Sequence, residues 1–353
     1  MQITELLKLT KWFKDYILAE QIPTKYQQLF NVMNKNAQPN NNQPKQPFES
    51  QRENLFEALK NVSLNKLTLE QIKFLEQLEV VDLLGVEGIR NIETVLYENN
   101  LDIATAAKKI GEFNAKISAA NQTLTEIETT LSKSFSLKKE EENIPADSVM
   151  MRIYFQDKSA INNISDFKKL SATWYDIGRG IAMAQNKSPE DFKIIGAQKG
   201  SVIIELAVIA GLATSISTIL LAGLKVAERV IEILKKAEEL KNLKLTNKKI
   251  EQEIIKEAEV EKNNGINTIL EAAIAELGLS KGQDGDKITS LEKSIAKLID
   301  FTQKGGAVDF VQPDGTDNGQ QDDVRAEIIQ LNENVQDIRR LENKIKMLES
   351  KLN

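Results

Sequence analysis

Residues 103–131, IATAAKKIGEFNAKISAANQTLTEIETTL, decide how this chain is read. Ile103, Ala106, Ile110, Phe113, Ile117, Ala120, Leu124, Ile127 and Leu131 alternate in steps of three and four, filling every a and d position of a heptad. That spacing draws one narrow apolar stripe down a helix, and such a stripe is buried against another helix. Two more seams follow downstream. One runs through Leu212, Ile216, Ile219, Gly223, Val226, Val230, Ile233, Ala237 and Leu240. The other repeats every seventh residue through Val324, Leu331, Ile338, Ile345 and Leu352, with Ile328, Val335, Leu341 and Leu348 as companions. On this last helix Asn334, Asp337, Arg339 and Arg340 read as solvent-facing.

Between the seams the chain divides by composition. Residues 1–35 read as two N-terminal helices, the first amphipathic over 3–18 and ended by Pro23. Residues 36–49 are an Asn/Gln/Pro-rich linker, too polar to bury a core. Residues 50–145 form a helical domain of three short helices and the long heptad helix, with Thr68 as a cap and Gly85 and Gly88 marking a turn. Residues 148–243 change character. SVMMRIYF (148–155) alternates as a strand, with Val149, Met151, Ile153 and Phe155 on one face. A helix follows, with Ile164, Phe167, Trp174, Ile177 and Ile181 on its inner side. FKIIGA and VIIELAV then form a hairpin turned at Gly200, leading directly into a long helix near Ile209. Residues 244–303 are helical, with a break expected at Asn263-Asn264-Gly265. Residues 304–322 read as an acidic, Gly-rich loop holding at most a short strand at AVDFV, and 323–353 as a coiled-coil helix. The fold class is therefore mainly α with a small α+β (β-α-β-β-α) domain, long heptad-patterned helices and a C-terminal coiled coil.

Composition excludes more chemistry than it suggests. The 353 residues contain no His and no Cys. That removes Ser-His and Cys-His nucleophile pairs, thiolate chemistry and zinc sites built on imidazole or sulfur. A net charge of −6 gives no reason to expect nucleic acid as a partner. The loop 311–323 fails as a calcium loop, because its twelfth position, counted from Asp314, is Arg325 instead of a bidentate Glu. Gly178-Arg179-Gly180 matches no phosphate-binding pattern, and Arg152 and Arg179 read as surface residues. Trp174 and Tyr175 read as core residues. No cofactor, metal or catalytic residue is expected. The N-terminus carries lysines and an Asp inside its apolar pattern, unlike a signal peptide, and the cytoplasm is the expected compartment.

One run stays open between two readings. Leu206 to Leu224 contains no charged residue, and that length reaches the threshold for a membrane-spanning helix. Leu206, Ile209, Leu212, Ile219, Leu220, Leu221 and Leu224 would then face lipid, and the protein would be membrane-associated. In the other reading the run is a buried core helix. The seam crossing it without a change of phase favours burial.

The order strand–helix–strand–KGS–strand leading into an Ala/Gly/Ser-rich helix, with AQKGSVIIEL at its centre, resembles a small α+β module of bacterial conflict systems. Those units are similar to the N-terminal domain of the TRADD adaptor and serve in assembly. The likeness covers residues 148–240 and implies an adaptor or effector role in antiviral defence, without supplying functional residues. The expected function is a non-enzymatic, oligomerising scaffold or adaptor. Ile110, Phe113, Ile117, Leu124, Ile216, Ile219, Val226, Leu331, Ile338 and Ile345 would bury its seams against a second copy, a protein partner or each other. The alternatives are a membrane-inserting, permeabilising effector and an enzyme using carboxylates with a metal.

Overall fold

The computed structural model describes residues 3–38, 44–99, 102–134, 147–198, 202–242, 248–311 and 322–349. The chain is mostly helical, at 77%, with eleven α-helices among these residues and a four-stranded antiparallel sheet. It divides into two compact units, Met1–Glu141 and Glu142–Asn353. The expected turn at Gly200 and most of the 304–322 loop lie outside the described residues.

The first unit is all helical: α1 (Ile3–Phe13), α2 (Ile22–Ala37), α3 (Glu49–Lys60), α4 (Leu69–Gln77), α5 (Gly85–Glu98) and α6 (Ile103–Ser134). Pro23 does not end α1. The chain breaks at Gln21, which takes a left-handed φ of 55°, and Pro23 sits in the first turn of α2. There its missing N–H would have had no helical partner anyway. The heptad helix α6 packs along α2 and also meets α1 and α5. Its Ile110, Ile117 and Leu124 enter one core with Leu9, Ile17, Tyr26, Leu29, Leu55, Leu59 and Ile92. Tyr26 is buried there with its hydroxyl donating to the Leu83 carbonyl at 2.8 Å, and burial pushes the phenol well above its ordinary pKa.

Thr68 does cap α4, and Gln71 returns the bond: Gln71 N–H reaches Thr68 Oγ1 at 3.3 Å, and Thr68 N–H reaches Gln71 Oε1 at 2.9 Å. Thr68→Ala is expected to lower the stability of this unit by about 1 kcal/mol, read as a shifted urea midpoint from Trp12 fluorescence.

The second unit runs β1 (Ser148–Phe155), α7 (Ile164–Ala184), β2 (Lys193–Gln198), β3 (Val202–Ile209), α8 (Ala210–Asn242), α9 (Lys248–Glu276), α10 (Gly285–Gln303), β4 (Ala307–Val311) and α11 (Asp322–Glu349). The sheet order is β2-β3-β1-β4. AVDFV is thus a structural strand: β4 pairs with β1 from Met150↔Val311 to Tyr154↔Ala307 and closes that side of the sheet. The alternate residues Val149, Met151, Ile153 and Phe155 enter the main core with α7, α8 and α10. Phe301 of α10 sits edge-on to both Phe155 and Trp174, at 5.6 and 5.1 Å between ring centres.

Three details differ from expectation. Helix α9 runs through 263–265 unbroken. Gly265 serves close approach instead of a turn, since a Cβ there would come within 2.5 Å of Val226 on α8. On α7, burial starts only at Trp174, so Ile164 and Phe167 are exposed. Phe301, Lys297 and Ser294 of α10 meet α7 at Trp174 and Asp176, within its second half. Tyr175 also points outward, next to its buried neighbour Trp174.

Gly180 sits at a close approach of α7 and α10. A Cβ there would lie 1.9 Å from Ser294 Oγ and 2.4 Å from the Ser290 carbonyl oxygen. Alanine would gain up to about 1 kcal/mol of helix propensity. Forcing two packed helices apart costs about 1–3 kcal/mol. Gly180→Ala is therefore expected to be net destabilising, read from Trp174 fluorescence in denaturant.

Candidate functional site

Residues from each of the three seams are buried inside the chain. In the first unit Ile110, Ile117 and Leu124 are buried, and Phe113 is half-buried at the edge of the same core. In the second unit α8 and α11 lie side by side and parallel. Thr214 Oγ1 donates to the Glu327 carbonyl at 3.0 Å. One turn on along α8 and two along α11, Asn334 Nδ2 donates to Ser217 Oγ and Thr218 Oγ1, at 2.9 and 3.0 Å. Further along, Lys344 pairs with Glu228, which raises the lysine pKa chiefly through the hydrogen bond. Residue numbers climb together on both helices, so their seams share a direction. Ile216, Ile219, Val226, Leu331 and Ile338 are buried in one core, and Ile345 packs at its margin. Asn334 therefore does not face solvent but fixes the register of the pair.

A second feature is a row of charges across the sheet. Register places Glu205 of β3, Arg152 of β1 and Asp309 of β4 side by side on one face. Arg152 Nη2 lies 2.6 Å from Glu205 Oε1. At the other end Arg339 of α11 converges on Asp309 Oδ1 with Nε at 3.1 Å and Nη2 at 2.7 Å. Asp309 is only 2% exposed and Arg152 4%, so Arg152 is not a surface residue, and Arg339, paired with Asp309, does not face solvent either. Charge-assisted bonds in such surroundings are strong and directional. The row pins α11 to the edge of the sheet.

The apolar run 206–224 is not one helix. Leu206 and Ile209 belong to β3, paired with Met151 and Ser148 of β1. The strand forms because VIIELAVI is β-branched and apolar on both faces. The uncharged helical remainder, 210–224, is about 22 Å long by helical rise, short of the ~30 Å hydrocarbon layer. The segment Ala210–Ala237 contains an 18-residue window with a mean hydropathy of 1.5 and is the one helix among the described residues long and apolar enough to cross a membrane. That window is 67% buried inside the protein. Leu212, Ile219, Leu220 and Leu224 are core residues, while Leu221 is half-buried.

An open cavity of about 410 Å³ lies between Gln156–Lys158, the end of α10, the start of β4 and α11. Its charged lining mixes Lys158, Lys304 and Lys346 with Asp157 and Glu342, and Lys304 is paired with Asp300. No group of three or more acidic side chains able to hold a metal occurs among the described residues.

What remains outside the cores is apolar surface on α7 and β2. Ile164, Phe167, Ser171, Tyr175 and Gly178 follow one line of α7, at helical spacing. Ile164 is 81% exposed and Tyr175 57%. The line continues onto the sheet edge, because the Phe192 ring packs where a Gly178 Cβ would touch it at 3.4 Å. Two residues on, Ile194 shares that face and is 73% exposed. The bulge between Ile194 and Gly196 interrupts the pairing of β2 with β3. No sequence signal separated the exposed half of α7 from the buried half, since both carry apolar residues at helical spacing.

These features define a class: a helical protein whose one small antiparallel sheet is locked by charges and whose exposed apolar groups lie on a helix face and a sheet edge. Compared with protein-family models, with curated proteins and with solved structures, the chain gives no match in any of the three.

Proposed function

We propose that this chain is a non-enzymatic adaptor or scaffold acting by protein–protein contact, in the setting of the bacterial conflict systems whose TRADD-like modules residues 148–240 resemble. The observation that supports it is the apolar line from Ile164 through Tyr175 to Ile194. Surface of this kind, gathered on one face and rimmed by Lys168, Arg179 and Lys193, is characteristic of interaction sites. The heptad seams then serve as coiled-coil packing within each unit, and the docking face is separate from them. The cytoplasm is the expected compartment.

The test is affinity capture from the source cells with wild type and with a Phe167→Asp/Tyr175→Asp double variant. Both positions are exposed, so the fold is expected to persist, checked by Trp174 fluorescence. A partner captured by wild type and lost from the variant supports the reading. The same catch from both, or none from either, overturns it.

A second reading is favoured by the hydropathy of α8: an effector that releases this helix into a bilayer. Dye release from vesicles, abolished by Ile219→Asp, would bring it forward. Under the adaptor reading vesicles stay intact.

A further inference from the structure

Helix α5 of the first unit carries Val86, Arg90, Glu93 and Tyr97 along its outer side, spaced i, i+4, i+7, i+11 and so on one line. Its inner side is occupied, with Gly88, Ile92 and Val95 buried. Val86 is 55% exposed and Tyr97 82%. The order along the line is apolar, basic, acidic, apolar. Read backwards it is the same line with its two charges exchanged.

The geometry points to a twofold pairing of α5 with the α5 of a second copy, the helices antiparallel. An axis between Arg90 and Glu93 sets each Arg90 opposite the other copy's Glu93, and each Val86 opposite the other copy's Tyr97. A twofold contact must be self-complementary in this way. A parallel arrangement would set Arg90 against Arg90 and Glu93 against Glu93, so charge selects the antiparallel one. The flanking carboxylates are already engaged within each copy: Glu87 accepts from Arg90 at 3.0 Å, and Glu98 lies 3.6 Å from Lys109. A guanidinium has five N–H donors, so Arg90 can hold Glu87 and still reach across the axis. One 14-residue helix per copy covers less than the ~800 Å² per partner of a standard interface. The dimer is accordingly weak and concentration-dependent. This inference rests on the reading of the chain as an assembly protein and names the partner at one of its surfaces.

The experiment is sedimentation equilibrium of the full chain over a wide concentration range at low salt, with three charge variants. Wild type is expected to shift from monomer toward dimer as concentration rises. Arg90→Glu and Glu93→Arg should each weaken the association by at least about tenfold, because each sets like charges across the axis. The double variant Arg90→Glu/Glu93→Arg recreates the complementary pairs and should dimerise like wild type, which also shows that the single variants did not fail by misfolding. A monomer at every concentration, single variants that dimerise normally, or a double variant no better than the singles would each overturn the pairing. The α7 capture experiment leaves α5 intact, so the two claims fail separately. A monomeric chain that still captures its α7-dependent partner overturns only the twofold, and a dimer without that partner overturns only the adaptor reading.

Discussion

Arg339→Met is expected to destabilise the second unit by roughly 3–5 kcal/mol, the cost of removing one partner from a buried ion pair. Methionine keeps most of the aliphatic stem, so little packing is lost, while Asp309, 2% exposed, loses both N–H groups of Arg339. The pair is largely shielded from solvent ions, with the side chains of Arg339 and Asp309 13% and 2% exposed. The loss should therefore change little between low and high salt, unlike that of an exposed bridge such as Arg90–Glu87. Adding Asp309→Leu should recover most of the loss, because an apolar pair of similar volume avoids the desolvation penalty. Arg152 keeps Glu205 in that double variant. The chain has two tryptophans, Trp12 in the first unit and Trp174 in the second, so Trp12→Phe isolates the fluorescence of the second for urea titration. A single variant as stable as its parent would mean that the row of charges contributes nothing to holding α11.

That row was partly visible in the sequence. Each of three apolar strands carries one charge near its centre: Arg152 in SVMMRIYF, Glu205 in VIIELAVI and Asp309 in AVDFV. An ionisable group inside a buried strand must be paired, and two signs on three strands imply a ladder. What the sequence withheld was the strand order. Beside β1, Asp309 and Glu205 flank one arginine, and only the position of β4 brings Arg339 within reach. The helical seams show the reverse pattern. Periodicity located them on α6, α8 and α11, but a heptad stripe is silent about whether its partner belongs to the same chain. For α11 the partner is α8, and the Asn334 bonds to Ser217 and Thr218 fix the pairing. Those three side chains have no periodic signal of their own, because a polar residue at a seam and one on a solvated face look alike in sequence. The same ambiguity hid the exposed half of α7.

Where a seam residue is buried inside the chain, its mutation should act on folding rather than on assembly. Ile338→Asp is the sharpest case. Ile338 is 2% exposed, in one core with Leu331, Val335 and the apolar side of α8. Trimming it to alanine would cost about 2–5 kcal/mol. Aspartate loses the same contacts and also buries an ionisable group with no partner, taking the total beyond about 5 kcal/mol. A domain is typically stable by only 5–15 kcal/mol, so the variant should be largely or wholly unfolded in its second unit. Ile329→Asp is the control on the same helix. Its side chain is 53% exposed, and a change within about 0.5 kcal/mol is expected there. In the 338 variant the Trp174 transition should move to much lower urea or disappear, while Trp12 still reports a cooperative first unit. If instead Trp174 unfolds as in wild type while the mass of a complex falls, then α11 buries Ile338 against another molecule, and its pairing with α8 gives way in the assembled state.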